Sequence, residues 1–303
     1  MVVGVAGLAG CAQQVRIEVV LDKPDPERLL RFYFGSYVAG SGDPFEAGIL
    51  FRRGRRYYVD PDALDAQMPG MGPVLARCAR AGVLSWDSLG VFLSSTYYQA
   101  RGLPRTMEAF RMQWPYREWT AVEVDGPMTR ARRRIFVSDK AIRAALEAYR
   151  HAGGRLRYPD GTAIVADHYQ DSTLIEHTAM VRRSDGYWDF VTYAADGTLA
   201  TTTRALPRAL ATPLQCVGCH FGTKQFEPER SFPDTVPPAP EGHRVYYVGS
   251  EARDAAVARR FDEHRRRSDT VLGLYATIYV SRLRAGRDTL SAADLALLNE
   301  LGL

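Results

Sequence analysis

Residues 15–21 alternate apolar Val15, Ile17 and Val19 with polar Arg16 and Glu18, which predicts a strand. Residues 25–38 repeat with a helical period that turns Leu29, Leu30, Phe32 and Tyr33 toward a core. Ile49-Leu50-Phe51 and Tyr57-Tyr58-Val59 flank Arg52-Arg53-Gly54 and predict a hairpin. Residues 61–112 follow a helical pattern broken at Pro69-Gly70 and Pro104. This first stretch reads as a small α+β module, and no motif in it carries chemistry.

The pattern changes after Trp114. Ile135-Phe136-Val137 is a short strand, and Ser138 caps a helix to about residue 151, with Ile142, Leu146 and Tyr149 on one stripe and Gly153-Gly154 at its end. Pro159-Asp160-Gly161 is a turn. Strands follow at 162–169, 174–182 and 188–193, with tight turns at Ser184-Asp185-Gly186 and Asp196-Gly197. This is an antiparallel meander. Residues 232–242 hold Pro233, Pro237, Pro238 and Pro240, a stiff extended linker. Helices are predicted at 251–267, 269–284 and 291–301. The middle one is made apolar by Val271, Leu272, Leu274, Tyr275, Ile278 and Tyr279. The expected fold class is α+β: an antiparallel sheet domain with a packed helix, between an N-terminal α+β module (12–105) and a linker with C-terminal helices (236–303).

Composition narrows the function classes. The chain has 303 residues, 46% hydrophobic and 24% charged, enough for a core and about two domains. No apolar run approaches the roughly 20 residues of a membrane-spanning helix. The formal charge of +4 is spread along the chain, and the runs Arg52-Arg53-Gly54-Arg55-Arg56, Arg132-Arg133-Arg134 and Arg265-Arg266-Arg267 are short. Solvated faces account for them better than a nucleic-acid footprint, so no nucleic-acid partner is expected. A mildly basic surface still suits docking of an acidic redox partner protein.

The candidate chemistry lies in Cys216-Val217-Gly218-Cys219-His220, a C-x-x-C-H pentapeptide of the kind that attaches c-type haem. Two thiols at this spacing add to the two vinyl groups of one porphyrin, and the adjoining His220 sits under the iron as axial ligand. A zinc site would need two further ligands nearby, and the other cysteines, Cys11 and Cys78, stand beside no histidine at ligand spacing. A redox dithiol would open a helix after a strand, whereas residues 209–215 read as a loop. One covalent haem c is therefore the expected cofactor.

Leu8-Ala9-Gly10-Cys11 ends a small, apolar N-terminus and resembles a bacterial lipobox, with Cys11 the lipidated residue. Haem attachment and lipidation both belong outside the cytoplasm. The expectation is a lipid-anchored protein on the periplasmic face of a bacterial membrane, with outer-membrane sorting favoured because Ala12, not Asp, follows Cys11. Cys78, in a helical-looking segment, is expected to be a buried thiol.

The order of Pro115-Tyr116-Arg117-Glu118-Trp119, Tyr158-Pro159-Asp160-Gly161-Thr162, Gly186-Tyr187-Trp188-Asp189-Phe190 and the C-x-x-C-H motif resembles the cytochrome P-460 family over about residues 106–235. The resemblance implies an antiparallel sheet with a helix, and one c-type haem packed on the sheet with an open distal position. Members that oxidise hydroxylamine carry a lysine, bonded to the porphyrin, on the strand after Asp-Gly-Thr. Ala166 stands at the matching position here, and Lys23, Lys140 and Lys224 all lie off that strand. A methyl group forms no crosslink, so the chain looks closer to the cytochromes c-prime-beta, which bind small gases such as nitric oxide. The same resemblance aligns Arg133 with an arginine of the distal pocket. The competing reading is one more surface member of an arginine run.

Alternation puts Ile164, Ala166 and His168 on one face of a strand. His168 is then a distal ligand or a hydrogen-bond partner of a bound gas, or else an exposed strand-end histidine, the commoner case and the one expected. Met180 is expected in the core rather than as a sixth iron ligand. Phe136 and Trp188 are likewise expected in the sheet core. The functional expectation is a mono-haem cytochrome that binds a small gaseous ligand, transfers electrons, or both. The alternatives are a hydroxylamine or nitric oxide oxidising enzyme, and a haem-carrying subunit of a larger membrane-associated complex.

Overall fold

The computed structural model describes residues 16–23, 26–124, 131–152, 157–205, 209–216, 280, 283–284 and 286–300. The chain divides into two compact units, Met1–Thr96 and Tyr97–Leu303. The fold class is α+β, as the sequence predicts.

The first unit holds β1 (Ile17–Val20), α1 (Pro26–Gly35), β2 (Leu50–Arg53), β3 (Arg56–Val59), α2 (Pro61–Gln67), α3 (Met71–Cys78), β4 (Val83–Ser85) and most of α4 (Trp86–Ala100). The predicted hairpin is β2–β3, and Gly54 takes its turn with φ 59°. Leu29, Leu30, Phe32 and Tyr33 are fully buried on α1, as their spacing requires. Asp60 caps α2 by accepting from the backbone N–H groups of Asp62 and Ala63, with Pro61 opening the helix. At Gly72, in the first turn of α3, a Cβ would stand 2.3 Å from the Pro61 carbonyl oxygen, so α3 approaches the start of α2 this closely only on glycine.

The sheet order is β2-β3-β1-β4, and β4 pairs parallel with β1. The three residues of β4 fall inside the stretch predicted to be mostly helical. Their strand state comes from pairing with β1, which local pattern does not encode. Cys78 is half-buried rather than buried, because it ends α3. Burial still raises the pKa of its thiol.

In the second unit, six strands form one antiparallel sheet in the order β10-β9-β8-β7-β6-β5. They are β5 (Thr120–Val124), β6 (Arg132–Val137), β7 (Ala163–Gln170), β8 (Thr173–Arg182), β9 (Trp188–Ala194) and β10 (Leu199–Ala200). The meander β7–β8–β9 is the predicted one. The tight turns fit it: Gly161, Gly186 and Gly197 all have positive φ, where a side chain would be strained.

One face of the sheet carries Phe136, Val165, Ala179, Val181, Val191 and Tyr193, packed with Tyr97, Tyr98 and Leu103 and with Met107 and Phe110 of α5 (Met107–Gln113). Phe136 is thus core, as expected. Trp188 is buried too, edge-on to Tyr158 at 5.9 Å between ring centres.

Helix α6 (Asp139–Ala152) begins at Ser138, whose carbonyl accepts from Ala141 and Ile142, and it buries Ile142, Ala145 and Leu146. Arg143 on α6 pairs with Asp294 on α7 (Ala292–Glu300), which realises the last predicted helix. Within this unit Asp189, 3% exposed, accepts from the Tyr97 hydroxyl and from Arg101 Nε, each at 2.8 Å. Arg183, fully buried, lies 3.8 Å from the same carboxylate.

The linker at 232–242, the helix predicted at 251–267 and all of that at 269–284 except residues 280, 283 and 284 lie outside the described residues, as do Cys11, Cys219 and His220. Among the described residues, no helix is long and apolar enough to cross a membrane.

Candidate functional site

The strand register assigns the candidate residues to one surface. Directly opposed residues of an antiparallel pair point to the same side. Ala166 opposes Ile135 on β6 and Thr178 on β8, and Thr178 opposes Thr192 on β9. One row therefore runs Ile135–Ala166–Thr178–Thr192. The next row runs Arg133–His168–Glu176–Ala194, and on the other side lies Val137–Ile164–Met180–Phe190. The sequence-level grouping of Ile164, Ala166 and His168 on one face agrees with this register. These residues lie on the face opposite to the one packed by α5.

Ile135, Ala166, Thr178 and Met180 are all half-buried although their strands are interior to the sheet. They make a floor of three apolar side chains and one threonine. Met180 stands on this floor rather than in the closed core expected for it.

The segment leading to the C-x-x-C-H motif is tied to this floor. Residues 201–205 and 209–212 pair with each other: Thr203 N donates to Leu210 O at 3.0 Å, and Thr212 N donates to Thr201 O at 2.9 Å. Two side chains of the sheet hold that pair. The Thr192 and Thr212 hydroxyls are hydrogen-bonded at 2.9 Å. Glu176, 1% exposed, accepts the backbone N–H of Ala205 at 3.0 Å and that of Arg204. Burial raises the Glu176 pKa, and the two N–H groups oppose that rise by favouring the charged form. Tyr98 adds a bond from its hydroxyl to the Thr212 carbonyl at 3.3 Å. The chain then turns through Gln215, which accepts from Ala211 N at 2.8 Å, and arrives at a half-buried Cys216.

His168 departs from expectation. It is 6% exposed, not a solvent-facing strand-end residue. It lies between Arg133 and Glu176 on the neighbouring strands, which a single strand's alternation does not show. Its Nε2 is hydrogen-bonded to Thr178 Oγ1 at 2.9 Å, while its buried Nδ1 has no hydrogen-bond partner. A buried ring nitrogen left so costs about 1–3 kcal/mol. Burial, with smaller contributions from Arg133 and His177, pushes the His168 pKa down to about 3, so the ring is neutral at neutral pH.

Arg133 lies directly across from His168. It is half-buried, whereas Arg132 and Arg134 on either side are exposed, so the arginine run alternates with the strand instead of forming one solvated face.

A second polar group sits on the opposite face. Asp167 is fully buried, accepts from His177 Nδ1 at 2.6 Å and from the Tyr116 hydroxyl at 3.4 Å, and pairs with Arg117 at 3.1 Å. Burial and the Asp167 charge push the Tyr116 pKa up to about 12. The sheet separates this group from the floor around Ala166. Sequence reading singled out neither Glu176 and Thr192 nor Asp167 and His177. Only the same-face parity of Glu176 with Thr178 would have pointed to the first pair.

This face thus combines a largely apolar floor, the buried ring nitrogen of His168 without a hydrogen-bond partner and a hydrogen-bonded segment that ends at Cys216. Among the described residues, no three His, Cys, Asp or Glu side chains gather as ligands of a bare metal ion. No protein-family model matches this chain, and no curated protein is significantly similar to it.

Proposed function

We propose that this protein is a mono-haem c-type cytochrome, with the porphyrin attached through Cys216 and Cys219 and the iron held from one side by His220. The observation that carries this reading is the C-x-x-C-H pentapeptide at the end of a segment hydrogen-bonded onto the Ala166–Thr178–Thr192 floor. A haem held there supplies an iron that can bind a small molecule or change its oxidation state. The residues of the chain supply the rest. Thr192, Thr212 and Glu176 fix the attachment segment. Ala166 leaves the sheet side without a crosslinking amine. His168 and Arg133 stand at one margin of an otherwise largely apolar face.

Small gaseous ligands such as nitric oxide, or electrons exchanged with a redox partner protein, are the proposed cargo. Oxidation of hydroxylamine or nitric oxide is the second reading; in it the buried, neutral His168 would serve as a hydrogen-bond partner, since a pKa of about 3 makes the ring a weak base. We further propose that the protein is exported and anchored through a lipidated Cys11 on the periplasmic face of a bacterial membrane.

The test is expression of the full chain with a c-type maturation system, followed by intact mass and a pyridine spectrum. One covalent porphyrin is expected. Cys216→Ser and Cys219→Ser should each leave at most a single thioether, and the double variant none. Wild-type protein with the mass of bare polypeptide would overturn the reading.

A further inference from the structure

We propose that His168 is a hydrogen-bond acceptor for the ligand of this site, so that molecules carrying an N–H or O–H group gain a contact there that diatomic gases bound by the iron alone do not. The inference rests on the haem reading above. Three observations support it. First, the ring lies on the face that carries the attachment segment, one row from Ala166. Second, it is 6% exposed and its Nδ1 is buried without a hydrogen-bond partner. Third, the other ring nitrogen is committed to Thr178 Oγ1 at 2.9 Å.

A neutral imidazole has one N–H and one lone pair. With the proton on Nε2 and directed to the Thr178 hydroxyl, Nδ1 presents the lone pair. The Arg133 charge across the strand pair acts in the same direction, since it disfavours a second proton on the ring. A bare lone pair rewards hydroxylamine or water, which can donate to it. It gives nothing to carbon monoxide, which cannot. This is a recognition role that needs no proton transfer.

The experiment compares wild-type haem-loaded protein with His168→Ala and His168→Gln. Two probes are titrated by absorption: hydroxylamine against the ferric form, with the initial complex caught by rapid mixing, and carbon monoxide against the ferrous form. Loss of one acceptor should weaken hydroxylamine binding about 3- to 10-fold in His168→Ala and leave carbon monoxide within about twofold. His168→Gln retains an acceptor oxygen and should recover part of the loss. Equal changes for both probes, no change for either, or weaker carbon monoxide binding alone would overturn the proposal. So would loss of haem from both variants while wild type is loaded, because His168 would then be a structural residue. Wild-type protein without haem would instead remove the reading on which the inference rests.

Discussion

Thr192 and Thr212 share a hydrogen bond of 2.9 Å between two buried hydroxyls, and it joins the central sheet to the segment that delivers Cys216. Replacing either residue by Val keeps the shape and leaves the other hydroxyl with one partner fewer. Thr212→Val should destabilise the protein by about 1–2 kcal/mol in urea unfolding. It should also lower the fraction of chains that carry covalent haem, read by intact mass. An unfolding midpoint and haem fraction equal to wild type would remove this clasp from the account.

Glu176 accepts two backbone N–H groups from the same segment. Glu176→Ala leaves both donors buried and is expected to cost about 3 kcal/mol, whereas Glu176→Gln keeps one acceptor oxygen and should cost about half as much. Urea titration of the three proteins without haem checks the order.

The low pKa of His168 sets a pH dependence. Its folded value of about 3 lies below its ordinary value of 6.5. Between these two values the unfolded chain binds a proton that the folded chain does not. This stabilising contribution is therefore complete above pH 6.5 and is lost as pH falls toward 3. The slope is about 1.4 kcal/mol per pH unit within that window. Glu176, whose pKa is raised, acts with the opposite sign above its ordinary value of 4.5. The difference between wild type and His168→Leu cancels that contribution. The wild-type unfolding free energy minus that of His168→Leu should fall by about 1.4 kcal/mol per pH unit as pH drops from 6.5 toward 3, and a difference independent of pH would remove the buried neutral ring from the account.

Asp167 lies between His177, Tyr116 and Arg117 on the face away from the attachment segment. Asp167→Ala leaves buried donors unanswered and should cost about 3–5 kcal/mol. Substitution of exposed Arg53 should cost less than about 0.5 kcal/mol. Thermal melting of both variants makes the comparison. An Asp167→Ala protein that melts with wild type would show that the group is inconsequential for the fold.

The meander of the second unit was legible because β7, β8 and β9 are short runs rich in apolar, aromatic and β-branched residues, bounded by Pro159-Asp160-Gly161, Ser184-Asp185-Gly186 and Asp196-Gly197. Strand β4 was not, since three residues between Gly82 and a helix carry no period, and their state is set by a distant partner. Strand β5 escaped for a similar reason: only pairing with β6 shows that residues 120–124 extend the sheet. In the candidate site, parity alone placed Ile164, Ala166 and His168 together. The burial of His168 was hidden, because its neighbours Arg133 and Glu176 are set by strand pairing and not by its own strand. Glu176 was hidden as well. An acidic residue in a strand looks solvent-facing until the backbone donors of residues 204 and 205 are brought to it.

The carboxylate of Asp189 draws its hydroxyl and guanidinium donors from Tyr97 and Arg101, on the stretch just before α5. A shortened version of the second unit that starts after Arg101 would strand an anion inside its own interior, with Arg183 as the nearest remaining counter-ion. Any engineered excision of this sheet must therefore begin upstream of Tyr97, even though the residues it retains there form no part of a strand.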